Sequence, residues 1–242
     1  NFEWRDRKIN IIDTPGLFDF EGGRAEGLRA AESVIVVLSC GHNVDVGAEK
    51  TLRAAGRKGI SKFIAVTKCD GEDRDFFKTL NSLKDKYGTA ICPVVIPYVV
   101  GGKVECYVNF LQNKAFKYDN GKATQVDMPS DALIDDIHAA FTEAVASADD
   151  ELMMKFFDGE EFTHDEIVAG LSQGVLDGTV IPVYACSGLT TDAVDLIMNG
   201  ITKLAPAPKG EGDLECDPNG PLAAICFKTV ADPFIGKMSF FK

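Results

Sequence analysis

The sequence predicts an α/β fold built on a mainly parallel sheet, and three observations predict it. Short apolar runs at Ile9–Ile12, Ser33–Ser39 and Phe63–Val66 alternate with segments of helical spacing. Strand–helix repeats of this kind imply right-handed crossovers between parallel strands. The run Ser33–Ser39 is almost continuously apolar, so we expect a strand that is covered on both faces. Polar runs follow the first and third strands, at the sheet edge where open α/β folds bind ligands.

Each predicted helix follows one of these strands. The segments with helical spacing are residues 21–31, 48–57 and 73–87. In the third segment, large apolar side chains recur on one face, and Gly88 follows its end. Glycine is the residue most often found just after a helix, so this boundary is the best marked of the three.

The pattern changes at about residue 91. Four short β-like runs follow at residues 91–100, 104–111, 114–119 and 122–129, and Gly101-Gly102 and Asn120-Gly121 interrupt them. An Asn-Gly pair between two such runs predicts a hairpin. Helical segments then follow at residues 131–148, 150–157 and 163–176, and Thr163 with Glu166 fits a capping box at the last of them. Residues 91–179 are therefore predicted to form an α+β insertion.

The last part of the chain returns to the first pattern and then leaves it again. Val180–Ala185 resumes the parallel sheet, and Asp192–Leu204 forms the next helix. The stretch from Pro206 to Gly220 has the Pro and Gly content of a linker. Leu222–Val230 and Gly236–Phe241 alternate like two antiparallel strands.

Charge and cysteine content limit the kinds of partner. The 242 residues carry a formal net charge of −12. This charge gives no bulk attraction to phosphate backbones or anionic lipids, so we expect no DNA partner and no membrane partner. No apolar run approaches the roughly 20 residues of a membrane span. The seven cysteines form no CxxC pair, which indicates reduced thiols in a cytoplasmic protein.

The run Asp13-Thr14-Pro15-Gly16 follows the first predicted strand. Pro15 cannot continue a strand ladder, and Gly16 presents an unhindered backbone N–H. The carboxylate of Asp13 can hold Mg²⁺ through water, and the amide of Gly16 can donate to a terminal phosphate. This run is therefore a candidate metal and phosphate site.

The run Thr67-Lys68-Cys69-Asp70 follows the third predicted strand. The Asp70 carboxylate can accept hydrogen bonds from N1–H and the 2-amino group of guanine, which adenine cannot supply. The aliphatic stem of Lys68 can cover the base. Ser187-Gly188 follows the strand Val180–Ala185 and completes a set of three polar runs at strand ends.

In this order, the three runs resemble the third, fourth and fifth signatures of GTP-binding switch proteins. Thr67 stands in place of the Asn of the fourth signature, and Gly188 stands in place of the Ala of the fifth. Residues 148–187 resemble the segment of elongation factor G that includes its fifth signature, and residues 224–241 resemble the first hairpin of that factor's second domain. By its sequence, the chain is thus similar to elongation factor G-type translational GTPases over nearly its whole length.

The resemblance implies a P-loop GTPase-type, mainly parallel sheet, truncated at its N-terminus, with a G′ insertion and the start of a β-barrel domain. The G domain would occupy residues 1–90 and 180–208, the G′ insertion 91–179, the linker 209–221 and the β-barrel 222–242. In the fifth signature, a backbone N–H at Ser187-Gly188 would reach guanine O6. GTP or GDP and Mg²⁺ are the implied cofactors. The ribosome, meaning its rRNA and proteins, is the implied partner of the intact protein, which would use GTP hydrolysis for translocation or a related ribosome step.

Three departures from the family leave alternatives open. No GxxxxGK[ST] phosphate loop occurs in the sequence, and the family places it before the position of Asn1. We therefore expect a piece of a longer protein that, alone, binds GTP weakly or not at all and is inactive. Leu17 stands where the family has a water-positioning His, so no catalytic residue is assigned. Thr67 has less reach than Asn, so a modest loss of affinity is expected. A non-enzymatic ribosome-binding paralogue or a non-translational switch GTPase are the alternatives.

Overall fold

The structure, a computed structural model, describes residues 1–71, 74–119, 121–208 and 220–242. In this part of the chain, 3-10 turns form at Phe18–Phe20 and Gly88–Ala90. Within the described residues, the strands and α-helices are, in chain order, β1 (Phe2–Trp4), β2 (Arg7–Ile9), α1 (Glu21–Ala30), β3 (Ser33–Ser39), α2 (Val46–Arg57), β4 (Ser61–Thr67), α3 (Phe76–Tyr87), β5 (Ile91–Val100), β6 (Lys103–Asn109), β7 (Lys114–Asp119), β8 (Lys122–Val126), α4 (Ala132–Ala146), α5 (Asp150–Asp158), α6 (His164–Asp177), β9 (Ile181–Ala185), α7 (Val194–Leu204), β10 (Cys226–Asp232) and β11 (Gly236–Phe241).

A seven-stranded sheet in the order β3-β4-β9-β5-β6-β7-β8 forms the centre of the fold. Strands β3, β4, β9 and β5 are parallel, and β5 to β8 continue as an antiparallel meander. The predicted α/β fold with a mainly parallel central part is therefore confirmed. Ser39 lies opposite Thr67, and Val66 lies opposite Ala185, so the carboxyl ends of β3, β4 and β9 meet at one edge.

The core lies on both sides of β4 and β9. All five residues of β9 are buried, and in β4 the side chains of Phe63, Ile64 and Val66 are at most 1% exposed. Burying one such side chain contributes about 1.5–3 kcal/mol, so these two strands are the firmest support for the loops that follow them.

Local capping sets the start of most helices. Asp75 Oδ1 accepts hydrogen bonds from the N–H groups of Phe77 and Lys78 at the start of α3. The predicted capping box of Thr163 and Glu166 is confirmed at α6. Side-chain caps of this kind satisfy N–H groups that have no partner within the helix. The cap places the start of α3 after Asp75 rather than at the predicted residue 73, which lies outside the described residues.

The prediction of a buried strand at Ile9–Ile12 is wrong. Strand β2 ends at Ile9 and pairs with β1 in an antiparallel hairpin, while Ile11 and Ile12 are 63% and 42% exposed. Arg5 and Asp6 both have positive φ, as a tight two-residue hairpin turn requires. A strand needs a neighbour for its backbone hydrogen bonds, and of this run only Ile9 has one, in β1 rather than in the central sheet.

The expectation that β3 is covered on both faces is also wrong. Val36 and Leu38 are buried, but Ile35 and Val37 on the opposite face are 39% and 63% exposed. β3 lies at the edge of the described sheet, and the elements packed on the sheet leave this face of the strand largely open. An apolar run by itself does not tell an edge strand from a central one.

The hairpins β7–β8 and β10–β11 are confirmed, although Asn120 of the first turn lies outside the described residues. Most of the predicted linker, residues 209–219, also lies outside them. The division into domains stays a prediction, since β5 of the predicted insertion pairs with β9 in the central sheet. No helix among the described residues is both long and apolar enough to cross a membrane.

Candidate functional site

Backbone hydrogen bonds hold together the loops that follow β3, β4 and β9. The N–H of Cys40 donates to the carbonyl of Thr67 at 2.9 Å, and the N–H of Cys186 donates to the carbonyl of Val66 at 2.9 Å. The N–H of Cys69 donates to the carbonyl of Cys186 at 3.3 Å. The structure therefore brings the predicted runs at Thr67 and Ser187 side by side.

A side-chain bond joins the same two runs. The N–H of Gly188 donates to Oγ1 of Thr67 at 3.1 Å. Ser187 is buried, and its N–H donates to the carbonyl of Asp192 at 3.0 Å, while its Oγ accepts from the N–H of Thr190 at 3.2 Å. Residues 187–192, called here the 187–192 loop, thus close on themselves and leave Gly188 exposed beside Thr67.

The turn Thr67–Asp70 presents two charged side chains to solvent. Lys68 and Asp70 are exposed, while Cys69 between them is buried, and its Sγ donates to the carbonyl of Val66 at 3.3 Å. Lys68 has a φ of +63°, a conformation that costs a non-glycine residue about 1–2 kcal/mol. The N–H of Gly71 donates to the carbonyl of Lys68 at 3.3 Å and closes the turn. The buried Cys69 anchors the turn, and the exposed Lys68 and Asp70 are available to a ligand at this edge of the sheet.

Two buried thiols lie beneath these loops. A hydrogen bond with Cys40, followed by burial, raises the pKa of Cys69. Burial raises the pKa of Cys186 to about 11. Both thiols are therefore protonated at neutral pH, which suits packing groups and not metal ligands. Among the described residues, no group of three or more His, Cys, Asp and Glu side chains could hold a metal ion.

The run Asp13–Gly16 lies elsewhere, against α1 and the start of α2. A Cβ added to Gly27 of α1 would come within 2.6 Å of Cγ2 of Thr14, and one added to Gly23 would lie 3.5 Å from Cδ of Pro15. Asp13 and Gly16 are exposed. The sequence predicts Asp13 at the end of a strand of the central sheet, and this prediction is wrong. The strand before it, β2, pairs with β1 in a separate hairpin.

Leu17 follows this run with its side chain 70% exposed. Its carbonyl accepts a hydrogen bond of 3.1 Å from the N–H of Phe20 and so begins the 3-10 turn Phe18–Phe20. A leucine side chain has neither donor nor acceptor, so it cannot orient water or carry a proton.

The donors and acceptors present suit a guanine base better than a metal ion. Asp70 offers a carboxylate, Lys68 an aliphatic stem, and Gly188 a backbone N–H at one exposed edge. Asp13 alone is one hard oxygen ligand, and Mg²⁺ bound there would take its other ligands from phosphates and water.

Sequence reasoning missed two polar residues next to the paired loops. Burial raises the pKa of Tyr107, and the negative charges of Asp192 and Asp70 act in the same direction. Oη of Tyr107 and Oδ1 of Asp192 are buried and have no hydrogen-bond partner among the described residues. Asp192 could have been predicted from its position in the loop after Ser187. Tyr107 could not, because it lies within the alternating apolar pattern of β6.

A sheet whose parallel strands carry these two joined loops at their carboxyl ends has the architecture of a GTPase-type nucleotide-binding domain. Over residues 1–207 the chain matches the family of the elongation factor Tu GTP binding domain, and it belongs to that family. This membership places it among the translation-factor GTPases.

Two relatives are similar along the whole chain. An elongation factor G-like protein from Thermotoga maritima is 29% identical over 254 aligned positions, which cover 100% of this chain and 37% of that protein. A crystal structure from Thermus thermophilus, of ttk003000868, superposes with a TM-score of 0.85 at 27% identity and covers 99% of this chain and 36% of that one. The predicted resemblance to the elongation factor G type is confirmed, and the chain spans little more than a third of either relative.

Proposed function

We propose that this chain is the guanine-nucleotide-binding part of an elongation factor G-like GTPase. The intact protein uses GTP hydrolysis to drive ribosomal translocation or a related ribosome step. The observation that carries the proposal is the junction of Thr67–Asp70 with Ser187-Gly188, held by the 3.1 Å bond between Gly188 and Thr67. Membership of the elongation factor Tu GTP binding domain family supports it.

The exposed edge formed by the two loops selects guanine. Asp70 accepts hydrogen bonds from N1–H and the 2-amino group of the base, and Lys68 covers the base with its stem. An N–H at Ser187-Gly188 donates to guanine O6. Adenine offers an amino group where guanine has O6 and lacks the 2-amino group, so it leaves both sides of this site unpaired.

The run Asp13-Thr14-Pro15-Gly16 serves the phosphates. Asp13 holds Mg²⁺ through water, and Gly16 donates its backbone N–H to the terminal phosphate. When bound, Mg²⁺ neutralises charge on the phosphates. Leu17 supplies no group to the attacking water, so hydrolysis depends on backbone, metal and ribosomal groups and is slow without the ribosome.

The same proposal covers partners, location and the isolated chain. The intact protein acts in the cytoplasm on the ribosome, through its rRNA and ribosomal proteins, and binds neither DNA nor membrane. The isolated 242 residues bind GTP weakly and are inactive, because no GxxxxGK[ST] loop occurs in the sequence to hold the phosphates.

A second candidate is a non-enzymatic ribosome-binding paralogue whose nucleotide site has decayed. Leu17, exposed and without polar atoms, favours it. So does the bond from the Gly188 amide to Thr67, which occupies a donor that the base would use. The translation-factor family match disfavours the third alternative, a non-translational switch GTPase.

Nucleotide selectivity of the intact protein tests the proposal. Titrations with fluorescent GDP, ADP and xanthosine diphosphate are compared for the parent and Asp70→Asn. The parent prefers GDP. Asp70→Asn replaces the ionised acceptor by an amide, whose NH2 group cannot accept from the 2-amino group, so GDP affinity falls by at least about 100-fold. Xanthosine diphosphate has an oxygen at position 2 that this NH2 group can donate to, so it gains affinity.

The results distinguish a guanine-specific GTPase from the non-enzymatic paralogue. Equal affinity of the parent for GDP and ADP would contradict the guanine site. Selective GDP binding without ribosome-stimulated GTP hydrolysis would support the non-enzymatic paralogue. Selective binding with such hydrolysis supports the elongation factor G-like GTPase.

A further inference from the structure

We propose that Tyr118 is a positioning residue for the 187–192 loop. Tyr118 lies in the antiparallel strands β6 to β8 and acts on the loop through its hydrogen bond to Asp195. This hydrogen bond sets how long a guanine nucleotide stays bound. The inference rests on the proposed function, because that function assigns the loop to the base.

The first observation is a hydrogen bond between β7 and α7. Oη of Tyr118 in β7 donates to Oδ1 of Asp195 at 2.5 Å, between residues 77 positions apart. Asp195 lies in the first turn of α7, directly after the loop. Burial, together with the bond to Asp195, raises the pKa of Tyr118, so its hydroxyl stays protonated and remains a donor at neutral pH.

The second observation is a close contact at the turn between β7 and β8. A Cβ added to Gly121 would lie 2.5 Å from Oγ1 of Thr191 and 3.5 Å from the carbonyl oxygen of Thr190. Gly121 has a φ of +75°, so both its conformation and its space require glycine. The turn of this hairpin is thus packed directly on the loop.

The third observation is strain within the loop and at its exit. Thr191 and Ala193 have φ values of +62° and +60°. Neither a β-branched residue nor alanine adopts this conformation unless its surroundings impose it. Gly121 lies against Thr191 itself, and Tyr118 binds Asp195 just after Ala193. These two contacts come from the β7–β8 hairpin and hold the chain on which the strained residues lie.

The fourth observation is the packing of the Tyr118 ring on a buried ring of β6. The rings of Tyr118 and Tyr107 meet edge to face, with centroids 5.6 Å apart and planes at 86°. Tyr107 is 2% exposed, so this contact holds the Tyr118 ring against the core.

Loss of the Tyr118 hydroxyl should release the loop without changing the groups that face the base. Gly188 would then spend less time where its N–H can meet O6, and the nucleotide would leave faster. We expect about a three- to tenfold increase in the GDP dissociation rate, the range for one such hydrogen bond. Inosine diphosphate keeps O6 and lacks the 2-amino group that Asp70 reads. Its dissociation rate should therefore increase by the same factor.

The experiment compares Tyr118→Phe with Tyr98→Phe in the intact protein. Oη of Tyr98 donates to Oδ2 of Asp131 at 2.9 Å at the start of α4, so the control loses the same kind of bond away from the loop. Release of labelled GDP and inosine diphosphate is followed by stopped flow, and melting temperature is measured in parallel. Tyr118→Phe should accelerate both releases, and Tyr98→Phe should lower only the melting temperature. Asp195→Asn, which keeps an acceptor, should stay near the parent.

The outcomes distinguish this inference from the proposed function. A parent that does not bind GDP selectively would overturn the proposed function, and this inference with it. A selective parent, with Tyr118→Phe releasing GDP no faster than Tyr98→Phe, would overturn the inference alone. Faster release of GDP without equally faster release of inosine diphosphate would also overturn the inference alone. If Tyr118→Phe does not fold, Gly121→Ala tests the same loop through the other contact, and faster release is again the expected result.

Discussion

The hydroxyl oxygen of Thr67 accepts a hydrogen bond of 3.1 Å from the backbone N–H of Gly188, which lies 121 residues further along the chain. This bond joins the loop after β4 to the loop after β9. It also engages a backbone donor that the proposed function assigns to guanine O6. An N–H serves two acceptors less well than one, so Thr67 competes with the base.

Thr67→Val should therefore strengthen GDP binding. Valine has nearly the shape of threonine but no hydroxyl, so the Gly188 amide becomes free while the backbone bonds of Cys69 and Cys186 still hold the loops. We expect about a three- to fivefold lower Kd for GDP, corresponding to somewhat less than one ordinary hydrogen bond. Equilibrium titration of the intact protein with fluorescent GDP measures it.

Thr67→Ser is the matched control, since it keeps the hydroxyl and should keep the parent's Kd. Weaker binding by Thr67→Val would show that the hydroxyl holds the loop in place for the base and does not compete with it.

Leu17→His should increase ribosome-stimulated GTP hydrolysis by the intact protein. The side chain at this position is 70% exposed, so an imidazole fits without repacking and adds a group that can orient water. Groups of this kind contribute about 100-fold or more when well placed, and we expect at least about tenfold here. Release of inorganic phosphate under multiple turnover, with and without ribosomes, measures the effect.

Leu17→Met serves as the control for the substitution itself, because it stays apolar and flexible. A parent that already turns over as fast as Leu17→His would refute the idea that Leu17 limits hydrolysis.

Gly200→Ala should destabilise the protein by about 1–3 kcal/mol. Gly200 lies in α7 against Tyr184 of β9, and an added Cβ would come within 2.6 Å of its Cζ and closer still to its Oη. Tyr184 is 1% exposed and has no room to move aside. Urea unfolding followed by far-UV circular dichroism measures the free energy of unfolding.

Gly56→Ala is the matched control in α2, where the nearest atom to the added Cβ is Nζ of Lys62 at 4.0 Å. It should be neutral or stabilising by up to about 1 kcal/mol, because alanine is the better helix former. Tyr184→Phe should recover part of the Gly200→Ala loss, because the removed Oη is the atom nearest the clash. An unaltered stability of Gly200→Ala would show that α7 shifts away from β9 at little cost.

Acid should weaken the start of α6 through Glu166. A hydrogen bond from Lys155, at 2.5 Å, and bonds from Thr163 lower the pKa of Glu166 to about 2 from its usual 4.5. A carboxylate with a lowered folded-state pKa stabilises the fold above the unfolded pKa and loses that contribution as the pH falls through the folded one. The contribution is therefore complete at neutral pH and fades between about 4.5 and 2.

Glu166→Gln should then melt at a lower temperature than the parent at pH 7, and the difference should shrink below pH 4.5. Thermal unfolding at a series of pH values measures it. A difference between the two proteins that stays constant across this range would show that the charge of Glu166 is not what stabilises the helix start.

The local pattern of the sequence was sufficient for most elements. Ser33–Ser39 is a strand with the predicted ends, and Thr163 caps α6 with Glu166 as its spacing predicts. Helical periodicity, capping residues and turn glycines act within a few residues of one another, so they can be read without knowing the rest of the fold. The runs Thr67–Asp70 and Ser187-Gly188 can be located from the sequence in the same way, and the guanine site that their residue types predict stays a prediction.

The tertiary structure alone decided which of these runs meet. Thr67 reaches Gly188, and Tyr118 reaches Asp195, across 121 and 77 residues, and no local pattern encodes such pairs. The run Ile9–Ile12 is as apolar as a core strand, yet Ile11 and Ile12 are exposed, because burial requires a neighbouring strand to pair with. Composition and periodicity determine what a segment is able to bury or bind. Whether the segment buries or binds it depends on the partners that it meets when the whole chain packs.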